Sequence, residues 1–353
     1  DVLVNNAGIA GPTGRVDQIS PEDWDRTLAV DSGFEIQLWD MTVTPPTPRA
    51  NLGKGGSNFR TGTSLLSFSK DGKTLSAAGN SSETIRLWDL SGEQPVEKSP
   101  AKGRSYGAAL SPDGALLAVA SSGGGRWHAR ETYLPRVRLF EVGGGETREL
   151  DAVEAHLAKD AFRVTTIAFS PDGRTVVSGG EDGAVERWEV STRKLRPGRG
   201  EDGTNIFIEA AAPSPDGRRL AVVGRSDSVF IWNLETQPPS LETKITVPRS
   251  GFKPVVGLAY TTNLTLSHVA WSADGKTLAT VRARTGWSGG RDAVWVWNLA
   301  AAPPELKAEF FPGGLQSVGA SSLALSPDGT RLALGTWPHV DFWNLADAKP
   351  RQS

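Results

Sequence analysis

Cysteine is absent from the sequence, which excludes disulfides, thiolate metal ligands and a cysteine nucleophile. Histidine is scarce: His128, His156, His268 and His339 are the only four, too scattered for a multi-histidine metal site. No run approaches 18 apolar residues, so no membrane-spanning helix is expected. No secretory leader is visible either, and a cytoplasmic setting is expected. There is no excess of either charge: 38 Lys and Arg face 40 Asp and Glu, a net of -2. This balance argues against a general nucleic-acid or membrane-surface binder and leaves room for a local basic patch. Glycine (40) and proline (23) together stay below the roughly 25–30% of low-complexity chains. The 38% of hydrophobic residues can bury a real core. With Asp1 first and Met41 the only methionine, the chain is expected to be a fragment or a processed product.

What is present is repetition, the first feature to settle in any fold reading. One phrase occurs six times: Ser69-Lys70-Asp71-Gly72, Ser111-Pro112-Asp113-Gly114, Ser170-Pro171-Asp172-Gly173, Ser214-Pro215-Asp216-Gly217, Ser272-Ala273-Asp274-Gly275 and Ser326-Pro327-Asp328-Gly329. Proline suits position i+1 of a type I turn, Asp can follow it, and Gly then accepts positive φ. Apolar runs flank the phrase, as in Val164 to Phe169 and Thr175 to Ser178, so it reads as a tight hairpin.

A second phrase occurs seven times, an apolar strand ending in an aromatic and a polar residue. Its aromatics are Trp39, Trp88, Phe140, Trp188, Trp232, Trp297 and Trp343. The alternation has period two, so Ile85 and Leu87 face one way while Arg86 and Trp88 face the other. A large aromatic at one register in every copy reads as a wedge between stacked sheets, part of the core and not a ligand cage.

These two phrases resemble WD40 repeats, which form β-propellers of four-stranded blades labelled a to d from the centre outwards. The first phrase matches the a–b turn and the second the end of strand c, with literal Trp-Asp copies at 39–40 and 88–89. The resemblance covers about residues 34–345 and implies an all-β propeller. It also implies a structural tetrad of His156, Ser178, Asp182 and Trp188 in one repeat. Six a–b–c sets follow one extra strand c at residues 34–39, with residues 43–52 as its d. A seven-bladed ring with an incomplete first blade, lacking strands a and b, is preferred over a six-bladed ring closed by the N-terminal strand. The last repeat has no convincing strand d.

Residues 1–30 are foreign to the repeat. Val2 to Val4 suits a buried strand end, and Ser20-Pro21-Glu22-Asp23 suits a helix start running on to Leu28. With Asn5-Asn6-Ala7-Gly8, this strand-loop-helix resembles a fragment of a short-chain dehydrogenase. The rest of that family's machinery is missing: no Thr-Gly-x-x-x-Gly-x-Gly loop exists, and Leu110, Val137 and Leu264 stand four residues after Tyr106, Tyr133 and Tyr260. The segment is expected to be a remnant or junction and not a domain, with the propeller occupying 31–353. No NAD(P) or other cofactor and no metal is expected.

In a propeller with alternating strands, b–c and d–a connections share one face. The long connections at 121–136, 196–205, 248–265 and 282–292 all fall there, and long loops on a rigid scaffold commonly carry function. Two of them mix basic and aromatic residues: Arg126, Trp127, His128, Arg130 and Tyr133, then Arg282, Arg284, Trp287 and Arg291. Such residues are enriched at interface centres. The sequence therefore points to a non-catalytic protein–protein interaction scaffold, monomeric, with an acidic protein or peptide partner on that face and no nucleic acid or membrane. A propeller enzyme with a funnel site is the alternative, and an intact dehydrogenase a remote one. The turn phrase is also similar in style to bacterial WD40 proteins.

Overall fold

The computed structural model describes residues 2–4, 27–31, 35–40, 47–54, 63–69, 72–79, 84–102, 105–121, 135–142, 146–154, 164–190, 194–196, 206–236, 239–248, 265–282, 293–311, 318–326, 328–337, 339–345 and 351–352. Every regular element among them is a strand, and the strands group into seven four-stranded sheets. In the second to seventh sheets the strands run in chain order and pair antiparallel throughout. Their inner strands are Thr63–Phe68, Gly107–Leu110, Val164–Phe169, Ile208–Pro213, His268–Trp271 and Val318–Leu325. Each inner strand lies beside the next, and Val2–Val4 of the first sheet lies between Val318–Leu325 and Thr63–Phe68. The architecture is a WD40-type β-propeller.

Both repeated phrases do the local work expected of them. In the Ser-x-Asp-Gly turns the Ser hydroxyl donates to the Asp carboxylate at 2.5–2.6 Å in the third to seventh sheets. The same hydroxyl accepts the amide five residues on, from Thr74 to Arg331, at 2.8–3.0 Å. The turn glycines have φ between 64° and 70°. Glycine is required twice over at 217: φ is +70°, and a Cβ there would lie 2.9 Å from Cδ of Pro171 in the preceding sheet's turn. Hairpin turn and contact between sheets are thus built from one phrase.

The aromatic phrase supplies the seams. Trp88 packs with Leu75 and Phe68 against Ile36 and Leu38 of the first sheet. Trp188 packs against Ala118 and Val137, Trp232 against Val177 and Val185, and Trp297 against Val229 and Ile231. Trp88, Trp188, Trp232 and Trp297 are all buried. The polar residue after the aromatic opens the c–d turn: Asp89 accepts the Ser91 amide at 2.9 Å, and Asn233 accepts that of Glu235 at 2.8 Å. Two seams carry an added clasp. Arg86 stacks over Trp88 at 4.6 Å, grips Glu97 through two hydrogen bonds and donates to the Leu52 carbonyl of the preceding sheet. Arg138 repeats this with Phe140, Glu149 and the Lys102 carbonyl.

The first sheet corrects the expectation of a blade without strands a and b. Glu35–Asp40 pairs antiparallel with Thr27–Asp31, which pairs parallel with Val2–Val4, so the sheet holds four strands. Thr27 and Leu28, expected at the end of a helix, therefore lie in a strand: the open edge of Glu35–Asp40 takes up their backbone groups. The expected boundary at 30/31 falls inside that strand, and Asn5–Gly8 and the helix start at Ser20 lie outside the described residues. The seventh sheet also has a fourth strand where none was expected, the two residues Arg351–Gln352 paired with Trp343 and Asn344.

Candidate interaction face

In the second to seventh sheets, antiparallel order puts the b–c and d–a connections at one end of the blades and the Ser-x-Asp-Gly turns at the other. Of the residues singled out for the first end, Arg126, Trp127, His128, Arg130, Tyr133, Arg284, Trp287 and Arg291 lie outside the described residues, as does His156 of the tetrad. Arg282 is described and differs from an exposed loop residue. It closes the strand Thr277–Arg282, pairs with Ala293 and is only 9% exposed.

Of the remaining tetrad positions in the fourth sheet, Ser178 and Trp188 are in contact. The Trp188 indole N–H donates to the Ser178 hydroxyl at 3.0 Å, both buried. Asp182 accepts the Ala184 amide at 3.1 Å and so shapes the b–c turn. These contacts fix a turn and a wedge, and no reacting group is among them.

At this same end, four of the inner strands are preceded or opened by a polar residue that no motif announced. Aligning the repeats on the turn Ser puts Tyr106, Thr165, Glu209 and Ser267 in one register, five residues before it. Glu209 pairs with Arg225 at 3.3 Å, and the Arg225 guanidinium lies 4.0 Å over the Phe207 ring. Burial raises the Glu209 carboxyl above its ordinary range; Arg225 opposes the rise and Glu181 adds to it. The Thr165 hydroxyl donates to the Gly179 carbonyl at 3.0 Å. Ser267 lies 2.8 Å from Nδ1 of His268. His268 is buried, its Nε2 has no hydrogen-bond partner, and burial pushes its pKa down to about 4. The ring is therefore neutral near pH 7 and poorly matched to general-base work. No group of three or more His, Asp or Glu with metal-binding geometry occurs among the described residues.

Comparison with known proteins places these features. Residues 148–189 match the family described as WD domain, G-beta repeat. That window contains Ser178, Asp182 and Trp188. The rice small ribosomal subunit protein RACK1y is 30% identical over 132 residues, 37% of this chain and 34% of that protein. The fission yeast target of rapamycin complex subunit wat1 is 23% identical over 233 residues, 64% of this chain and 66% of that protein. The chain thus spans about a third of the first relative's length and just under two thirds of the second's. Among solved structures, the Cps50 (Swd1) β-propeller domain of Myceliophthora thermophila has a TM-score of 0.64 at 18% identity, covering 88% of this chain and 90% of that one. Hydrazine synthase of Kuenenia stuttgartiensis has a TM-score of 0.58 at 16% identity, covering 79% and 76%. At these identities the likeness concerns fold alone. The dehydrogenase-like reading of residues 1–30 gains no support from these matches. Nor does the bacterial style, since the curated relatives named here are from a plant and a yeast. The chain is thus similar to WD40 proteins at residues 148–189 and folds as a WD40-type β-propeller.

Proposed function

We propose that the chain is a non-catalytic scaffold that binds a protein or peptide partner on the face bearing the long b–c and d–a connections. One observation carries this reading: the repeat's polar side chains are consumed in holding the framework. Turn serines and aspartates bond each other, Ser178 holds Trp188, and Asp89 and Asn233 cap turns. On this reading the long connections are left for a partner, and two of them carry basic and aromatic residues in sequence. The relatives named above as subunits of the small ribosomal subunit and of the target of rapamycin complex support a role inside assemblies. The excess of arginine at 126, 130, 284 and 291 favours an acidic partner, and a monomeric, cytoplasmic setting belongs to the same proposal.

The test is paired affinity capture. The chain and a variant with Arg126, Arg130, Arg284 and Arg291 changed to Glu are used side by side, with equal melting temperatures required. The expected result is a set of captured proteins lost with the variant and weakened by salt. An identical set from both baits would contradict the proposed face.

A further inference from the structure

The first sheet is closed differently from the other six. Their inner strands run antiparallel to the second strand, are joined to it by the Ser-x-Asp-Gly turn, and make four to six residue pairs. Val2–Val4 instead runs parallel to Thr27–Asp31 in three pairs, Val2 with Leu28, Leu3 with Ala29 and Val4 with Val30. No hairpin links the two, since residues 5–26 intervene. Parallel pairing is slightly weaker per residue than antiparallel, and this ladder is short as well.

The six regular inner strands also define what the position accepts. Two residues before the turn Ser stand Ser67, Ala109, Ala168, Ala212, Ala270 and Ala324, none more than 4% exposed. The position is thus filled by a small, buried side chain in all six, which close packing between neighbouring sheets favours. The residue after it is usually large and apolar: Phe68, Leu110, Phe169, Trp271 or Leu325. Val2-Leu3-Val4 does not carry this small-then-large pattern.

We propose that the inner position of the first sheet is an exchangeable strand site. Its occupant is an extended segment of a partner protein, with the pattern apolar, Ala, large apolar, Ser. The segment runs antiparallel to Thr27–Asp31 and displaces Val2–Val4. Backbone hydrogen bonds provide affinity, and the small residue that must enter the seam provides specificity. The site lies in the wall of the ring and is separate from the loop face proposed above.

The probe is a fluorescein-labelled peptide copying residues 164–173, Val164 to Gly173. It is titrated against the full chain and against its Leu3→Pro variant, since proline lacks the N–H of a ladder residue. A second peptide carries Ala168→Leu. Three results are expected. The Leu3→Pro chain binds the first peptide at least ~10-fold more tightly than wild type. The Ala168→Leu peptide binds at least ~10-fold more weakly. In wild type at saturating peptide, the amides of Thr27–Asp31 gain protection from hydrogen exchange while those of Val2–Val4 lose it. The exchange measurement stands alone if the Leu3→Pro chain fails to fold. Three results would overturn the proposal: exchange at 27–31 that ignores the peptide, equal binding of the two peptides, or a Leu3→Pro chain that dimerises with unchanged peptide affinity, meaning a second copy fills the site. The four-arginine variant tested above is expected to bind the peptide unchanged, so failure of either reading leaves the other distinguishable.

Discussion

The fourth sheet and the first sheet use the same third-strand phrase and are held together by different means. In the fourth, Val164–Phe169 and Thr175–Gly180 are joined by five residues, 170–174, built on the Ser-Pro-Asp-Gly turn, Trp188 is tied to Ser178, and Asp182 shapes the next connection. In the first, Glu35–Asp40 carries Trp39 at the matching position, but the inner strand arrives from the chain's first residues and runs parallel. The contrast teaches that a repeat sequence specifies a blade through its turns. Where the turn phrase is missing, the sheet edge recruits whatever strand lies at hand, and local stability follows the turn and not the wedge.

The strongest way to probe the well-built side is Trp188→Ala. It empties a buried wedge that packs Ala118 and Val137 against the fourth sheet, and a loss of about 3–5 kcal/mol is expected in denaturant melts. Trp127→Ala, in a long connection, is expected to cost well under half of that. The reverse order would mean that the strand register is wrong.

Next in size is a pH effect at the sixth sheet. His268 has an ordinary pKa of 6.5 and a folded value of about 4, caused by burial. As pH falls through 6.5 the unfolded chain binds a proton that the folded chain refuses until about pH 4. Stability is fully retained above that window and falls across it by about 3 kcal/mol. His268→Leu is expected to remove this slope, as read from melts at pH 7, 5.5 and 4.5. Asp172, Asp216 and Asp328 act in a lower window. Burial raises their carboxyls, but the Ser hydroxyls and backbone amides of their turns outweigh it and hold them below the ordinary range. Their stabilisation is present above the unfolded carboxylate pKa and is lost as pH falls through the lower folded values. The acid limb below pH 4 should therefore persist in His268→Leu.

Two smaller changes sharpen the role of the turn. Gly217→Ala forces an L-residue to φ +70° and a methyl against Pro171, and is expected to cost about 2 kcal/mol. Ser178→Ala leaves the buried Trp188 indole N–H without its acceptor, and a cost of about 1–2 kcal/mol is expected. The indole nitrogens of Trp297 and Trp343 already lack partners, so a wedge survives without this bond.

The repeat was legible because each residue type in it does a local job. Ser, Asp and Gly build one turn within five residues, and the wedge declares itself by period-two alternation. The first sheet was not legible, since the pairing of Val2–Val4 with Leu28–Val30 spans more than twenty residues and no turn chemistry announces it. The acidic start at Ser20–Asp23 instead suggested a helix running on to Leu28, and an open sheet edge overrode local propensity there. Residues Phe207, Glu209 and Arg225 were missed because they meet from opposite ends of a hairpin, with no motif between them. The register of Tyr106, Thr165, Glu209 and Ser267 was the signal that could have found them. Arg282, expected at the start of a long connection, closes a strand, and its side chain is out of solvent.

Native-state hydrogen exchange of the whole chain compares the two sheets most directly. The amides of Ile167–Phe169 and Val176–Ser178 are expected to exchange only through global unfolding, and those of Leu28–Val30 to open locally at least ~100-fold faster. Equal protection in the two sheets would contradict the account, because it would mean that a short parallel strand without a turn closes a blade as firmly as the Ser-x-Asp-Gly hairpin does.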